Sequence, residues 1–403
     1  MDFARRRSRD LKPGLNGLSR SLCTFSGVNR VLVGFLILET ILLTIDENPV
    51  IASTAALPPI QRVMIDERGR ITVNGKPFFP ILLYDGPTDT DSLGMFQEHG
   101  FNTLTITKQE EAKALLQRGL YAAVQPGGKK IENLQSVLLA IGMDSPALHW
   151  KEKWIEKTKA DLEHVRSLVP DRPVMHAINY WANQPAVTLS NTILPKPKYE
   201  DLIQAMDVAA PYLYTLPFQP IGYVGEAVGR AGIATQGRKP VIPIFQLSLW
   251  NGTDRHPGPA ELRCMVYVAV IHGADGIGYH SYYHDSGTGR TTLARERPEL
   301  WRAAGQINTE VAAIAALLSD GLPAPFVTLR EGAPDVEFRA ATKGALQLIL
   351  LANTCGSAKH ISLKFSENLN MKLNRLGGGT EVIVKEGQVN LRLDPFEAVA
   401  LVD

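Results

Sequence analysis

The sequence predicts a (β/α)8 barrel, a TIM-type α/β fold, followed by a small antiparallel β-sandwich, on three observations. Eight apolar runs alternate with helical segments between residues 78 and 319. The runs are apolar almost without interruption, as strands buried on both faces must be. Beyond residue 320 the pattern changes to short segments with period-two alternation.

The elements follow in order. "RVMIDERGRITVNGKPFFP" reads as two short strands, with a glycine turn and an Asn74-Gly75 turn. The eight runs are "FFPILLYDG" (78–86), "FNTLTIT" (101–107), "LYAAVQP" (120–126), "LLAIGMDSP" (138–146), "RPVMHAINYW" (172–181), "MDVAAPYLYT" (206–215), "KPVIPIFQLSLW" (239–250) and "GADGIGYHSYY" (273–283). The best-marked helices between them are 150–169 and 258–273. The second has Pro259 near its first turn and Gly273 at its end, as helix capping requires. The helix between the third and fourth runs is weakly marked. A helix over 298–319 closes the barrel. An open doubly wound sheet is the competing architecture, but no Gly-rich phosphate turn follows the first strand. Segments such as "ALQLILLAN", "HISLKF", "EVIVKEG" and "VNLRL" then form the sandwich. The domains are therefore a leader over 1–56, a barrel with its N-terminal hairpin over 57–320, and a sandwich over 321–403.

The net charge of +1 over 403 residues argues against nucleic acid as a partner. Arg5, Arg6, Arg7, Arg9, Lys12, Arg20 and Arg30 crowd the first thirty residues. An apolar stretch follows over 31–45, interrupted by Glu39, and then small residues with a cleavage point after Ala55. This is the pattern of a signal peptide or, if uncleaved, a signal anchor. Either sends the chain to an extracytoplasmic place: secreted, periplasmic or at the cell surface. Membrane contact is expected only through the uncleaved segment. Cys264 and Cys355 read as two buried free thiols. No Cys/His spacing fits a metal site, and no cofactor is expected.

Function in such a barrel belongs at the carboxyl ends of the strands. Those ends carry Tyr84, Asp85, Gln125, Asp144, Asn179, Tyr180, Trp181, Tyr212, Tyr214, Gln246, Trp250, Tyr279, His280 and Tyr282, with Trp150 just past the fourth. Flat rings stack on the CH faces of sugars while amides and phenols bond their hydroxyls, so this rim suits an oligo- or polysaccharide.

"ITVNGKPFFPILLYDGP" resembles the opening of many glycoside hydrolase barrels. "AIGMDSP" resembles the Asp-Glu-Pro end of strand four in barrels similar to β-galactosidases and cellulases. "PAELRCMVYVAVIHGADGIGYHSYY", with "RPELW" behind it, resembles the helix and eighth strand of the same group. The resemblance covers roughly 63–320 and implies O-glycosidic bond hydrolysis by two carboxylates. The chain departs from it at both positions. Ser145 stands where the acid/base Glu is expected, and Gln246 near the place of the nucleophile. The catalytic candidates that remain are Asp144 as acid/base, with Asp85 or Asp285 as its partner. The stronger reading of Asp144 by itself is as the cap of the helix that follows. A carbohydrate-binding protein that has lost catalysis, and a scaffold for polysaccharide assembly or export, stay open beside the hydrolase.

Overall fold

The computed structural model describes residues 57–142, 153–179, 196–217, 219–248, 255–285, 290–319, 321–323, 326–329 and 334–403. Asp144, Ser145, Trp150, Tyr180, Trp181, Trp250 and the leader lie outside them.

The chain enters through β1 (Val63–Ile65), β2 (Ile71–Val73) and β3 (Lys76–Pro77), an antiparallel sheet. Asn74 and Gly75 join β2 to β3 with φ of 52° and 81°. Both residues are left-handed, the backbone that a two-residue hairpin turn requires and that an Asn-Gly pair adopts readily. Ile60, Val63, Ile71 and Val73 belong to the same buried cluster as Tyr121, Leu138, Val208 and Ile242 at the amino ends of barrel strands. The hairpin thus plugs the end of the barrel opposite the rim.

Eight parallel strands close the barrel: β4 (Ile81–Leu83), β5 (Thr103–Ile106), β6 (Tyr121–Val124), β7 (Val137–Ile141), β8 (Val174–Asn179), β9 (Val208–Leu213), β10 (Ile244–Gln246) and β11 (Ile277–His280). All eight apolar runs deliver their strand. The outer layer contains α1 (Thr90–Glu98), α2 (Glu111–Gln117), α3 (Trp154–Leu168), α4 (Lys196–Ala205), α5 (Tyr223–Ala234), α6 (Pro259–Ile271), α7 (Leu293–Glu296) and α8 (Pro298–Leu318). Residues 125–136, between β6 and β7, form turns and no helix, which explains the weak signal there. A turn of chain with no apolar stripe has no face to bury against the sheet.

α6 starts where its caps place it: Pro259 takes the first position, and Glu261 accepts the Gly258 N–H at 2.7 Å. Nine of its residues, Leu262 and Cys264–Ile271, are buried. A helix apolar all round needs cover on every side. Here the barrel covers one side and three strands of the C-terminal domain, β16 (Val336–Lys343), β17 (Leu346–Asn353) and β22 (Ala398–Val402), cover the other.

The strands from β12 (Tyr283–Asp285) onward are antiparallel. β12 pairs with β13 (Arg290–Thr292) just past the eighth barrel strand. Then come β14 (Leu322–Pro323), β15 (Val327–Leu329), β16 (Val336–Lys343), β17, β18 (Lys359–Phe365), β19 (Met371–Arg375), β20 (Val382–Val384), β21 (Gln388–Leu393) and β22. They form sheets in the orders β14-β16-β17-β22-β19-β20 and β15-β18-β21. Ile349, Leu351 and Leu401 of one sheet share a buried core with Ile361, Leu363 and Leu393 of the other. That is a sandwich: β18 and β20 alternate buried with more exposed residues, while β17 and β22 are buried on both faces, one against the other sheet and one against α6. It is tied to the barrel by Arg263, whose Nε donates to the Ala398 carbonyl at 2.9 Å, and by Arg339, whose Nη1 donates to the Val270 carbonyl at 2.8 Å. Of the three cysteines, Cys264 and Cys355 lie among the described residues, and both are free. Cys264 is buried as expected, but Cys355 lies in the turn after β17 and is part-exposed rather than buried.

Candidate functional site at the carboxyl end of the barrel

Strand alternation decides which rim candidates meet. Leu82, Ala210 and Ile244 point into the barrel core, so Tyr84, Tyr212 and Gln246, two positions on, face the same way at the carboxyl end. Gly278 lies opposite Ile244 and Leu82 in register, which turns His280 inward as well. Four strands therefore place Tyr84, Tyr212, Gln246 and His280 in one layer at the mouth, with Tyr214 just above.

The rings form a compact group. Centroids are 5.6 Å apart for Tyr84 and His280, 5.6 Å for Tyr212 and His280, and 5.9 Å for Tyr214 and His280. Tyr212 is 4.9 Å from Tyr214 and 6.4 Å from Tyr84. The backbone beneath is locked. Leu247 N–H donates to the His280 carbonyl at 2.8 Å, and Ser281 N–H donates to Ser248 Oγ at 3.2 Å. Tyr84 N–H donates to the Tyr279 carbonyl at 3.0 Å. The His280–Ser281 peptide is cis.

Asp85 is exposed, with φ at 57°, a left-handed position that Asp tolerates better than most side chains. Its N–H donates to Thr105 Oγ1 at 3.0 Å, which turns the carboxylate towards the mouth, and Oδ2 lies 3.8 Å from His280 Nε2. Burial lowers the His280 pKa below its usual 6.5, while the Asp85 charge opposes that shift. Gln246 is completely buried, and neither end of its amide has a hydrogen-bond partner among the described residues.

Two candidates face the other way. Tyr279 is fully buried between the barrel and its helices, donates to Asn308 Oδ1 at 2.8 Å, and packs on Phe101 and Phe245. Tyr282 packs on Phe96 at 4.9 Å and on Trp301 at 5.3 Å. Both are core residues of the helical layer and not rim residues. An odd position on β11 points out of the barrel, and the run "YHSYY" bends away after His280, which sequence order alone does not reveal. Of the remaining candidates, Asn179 ends β8 and Asp285 ends β12 in the hairpin beyond the eighth strand. Asp144, Trp150, Tyr180, Trp181 and Trp250 lie outside the described residues. Thr105 and Ser248 support the site but carry no signal in the sequence; Thr105 is the penultimate residue of β5, and Asp85 lies two residues past the end of β4. Among the described residues, no three His, Cys, Asp or Glu side chains gather as a metal site requires.

No family model matches this sequence, and no curated protein matches it. Solved structures do. A β-galactosidase from Bacillus circulans sp. alkalophilus superposes with a TM-score of 0.54 at 8% identity, covering 80% of this chain and 99% of that one. A β-L-arabinopyranosidase from Geobacillus stearothermophilus, solved with arabinose, gives 0.52 at 10% identity over 80% and 96% of the two chains. An Anoxybacillus α-amylase gives 0.50 at 12% identity over 77% and 88%. What these three share with this chain is the closed parallel eight-stranded barrel. At these identities the likeness is one of fold, and the chemistry must come from this chain's own residues.

Proposed function

We propose that this protein is a glycoside hydrolase-like protein that acts on or binds a glycan at the carboxyl mouth of its barrel. The observation that carries the reading is the group of Tyr84, Tyr212, Tyr214 and His280, brought from three strands to within 4.9–6.4 Å of one another. Ring faces and phenol hydroxyls gathered in one layer match a sugar's CH face and its hydroxyls. The three similar structures described above are all of enzymes named for sugar substrates, which supports the same ligand class here.

In the hydrolytic form of this reading, Asp144 donates the proton to the leaving oxygen, and Asp85 or Asp285 is its partner. One observation favours binding without cleavage. The strand-seven position offers the amide of Gln246, which forms no glycosyl ester and transfers no proton at neutral pH. We further propose export through the leader over 1–56.

Glycan-array binding, paired with hydrolysis assays on the same glycans, tests the reading. Tyr212→Ala should lose binding and Asp144→Asn should lose turnover while keeping binding. A folded protein that binds no glycan would sink the proposal. Cleavage that survives Asp144→Asn would remove that residue from the mechanism. A chain truncated before Leu57 should be soluble and folded; aggregation would show that the leader belongs to the fold.

A further inference from the structure

Gln246 is completely buried, and among the described residues neither end of its amide has a partner, nor does the buried His280 Nδ1. The two residues are opposite each other on parallel strands, β10 and β11, and both face the interior at the mouth. Buried polar groups in folded proteins are almost always paired, because an unpaired one forfeits its bonds to water. An amide and a ring nitrogen side by side, both without a partner among the described residues, are therefore suited to a bound ligand at the mouth. That partner must accept from an amide N–H and donate to a ring nitrogen. A hydroxyl does both, having one hydrogen and two lone pairs.

We propose that Gln246 and His280 form a pair that reads one hydroxyl of a neutral sugar, the hydroxyl donating to His280 Nδ1 and accepting from the Gln246 amide. The inference rests on the glycan reading above and adds to it the atoms that recognise the ligand. Asp85 is the positioning residue. Its carboxylate, 3.8 Å from Nε2, favours the tautomer with hydrogen on Nε2 and leaves Nδ1 as the acceptor. The pair reaches solvent through His280, whose side chain is 21% exposed.

Among the described residues, the groups facing His280 are Asp85 and Tyr84 from the first strand, Tyr212 and Tyr214 from the sixth, and Gln246 and Ser248 from the seventh. Among these, Asp85 carries the only charge near neutral pH. Protonating His280 converts Nδ1 from acceptor to donor, which breaks the bond from the hydroxyl. Sugar binding then weakens on the acid side.

The test uses the full chain with glucose, galactose, xylose and arabinose and their monodeoxy analogues, read by calorimetry and by the imidazole resonances of His280. For a sugar that binds, one monodeoxy analogue should bind roughly 3- to 10-fold more weakly, the loss of one hydrogen-bonded hydroxyl. Gln246→Met, similar in shape and without an amide, should discriminate between the sugar and that analogue less than the parent does. The His280 resonances should move on binding. If Gln246→Met does not fold, His280→Gln is read for the same loss of discrimination. Discrimination as large in these variants as in the parent, or His280 resonances that stay put while a sugar binds, would overturn the pair and leave the glycan reading standing. A folded protein that binds none of these sugars would overturn both.

Discussion

Gly142 lies directly against the ring of His176: a Cβ added at Gly142 would come within 2.1 Å of His176 Cε1. His176 is fully buried on β8 and cannot give way, because its Nε2 is held 2.9 Å from Asp161 Oδ2 on α3. The fourth strand therefore ends in glycine, immediately before the Asp-Ser-Pro segment, because a neighbouring side chain fills the space. Gly142→Ala should cost about 1–3 kcal/mol or more in urea unfolding, the usual range for overpacking. Adding His176→Ala should recover part of that loss. A Gly142→Ala chain as stable as the parent would mean that the ring moves freely.

Glu310 holds the joint between barrel and sandwich. It accepts from Arg263 Nη1 at 2.8 Å and from the Tyr267 hydroxyl at 2.5 Å. The Glu310 side chain is 9% exposed and that of Arg263 26%. Removing one partner leaves a largely desolvated charge, so Glu310→Ala should lose about 3 kcal/mol in chemical denaturation. The double variant Arg263→Met with Glu310→Leu should lose less than Glu310→Ala alone.

Asp275, at the amino end of the eighth strand, gives a pH signature. Its Oδ2 accepts the Val241 N–H at 3.1 Å, and burial pushes its pKa up from 3.8 to about 7. A carboxyl with a raised native pKa binds more protons folded than unfolded between those two values, so its contribution to stability declines as pH rises from about 4 to about 7. Asp275→Asn cannot ionise and keeps the acceptor oxygen. Its melting temperature relative to the parent should be higher at pH 8.5 than at pH 5, and equal differences at both would contradict the assignment.

His280 works in the opposite direction. Burial holds its pKa below 6.5, so the unfolded chain takes up the proton first. Its stabilising contribution is complete above about pH 6.5 and is lost as the pH falls through that value towards the lower native pKa. Asp85 is the group that opposes the shift. Asp85→Asn should therefore lower the His280 midpoint further in an NMR titration, and a midpoint that rises would place the carboxylate elsewhere in solution.

Much of this protein is legible in its sequence. The strand runs are apolar on both faces because helices cover both sides of the sheet, so "VLLAI" and "VAAPYL" announce themselves without neighbours. The Asn74-Gly75 turn and the Pro259 start of α6 are equally local, fixed by backbone preferences within a few residues. The site was legible only in part. Tyr84, Tyr212, Gln246 and His280 could be picked because they end strands. Tyr279 and Tyr282 end a strand too, yet they belong to the core.

What the sequence determined alone is the order and kind of elements, since apolar periodicity and turn chemistry act over a few residues. Only the tertiary structure decided direction: which alternate side chain of each strand points into the barrel, and what lies opposite it. That parity depends on registers between strands as far apart in sequence as β4 and β11, and it turns Tyr279 towards Asn308 while it brings His280 beside Gln246 and Asp85.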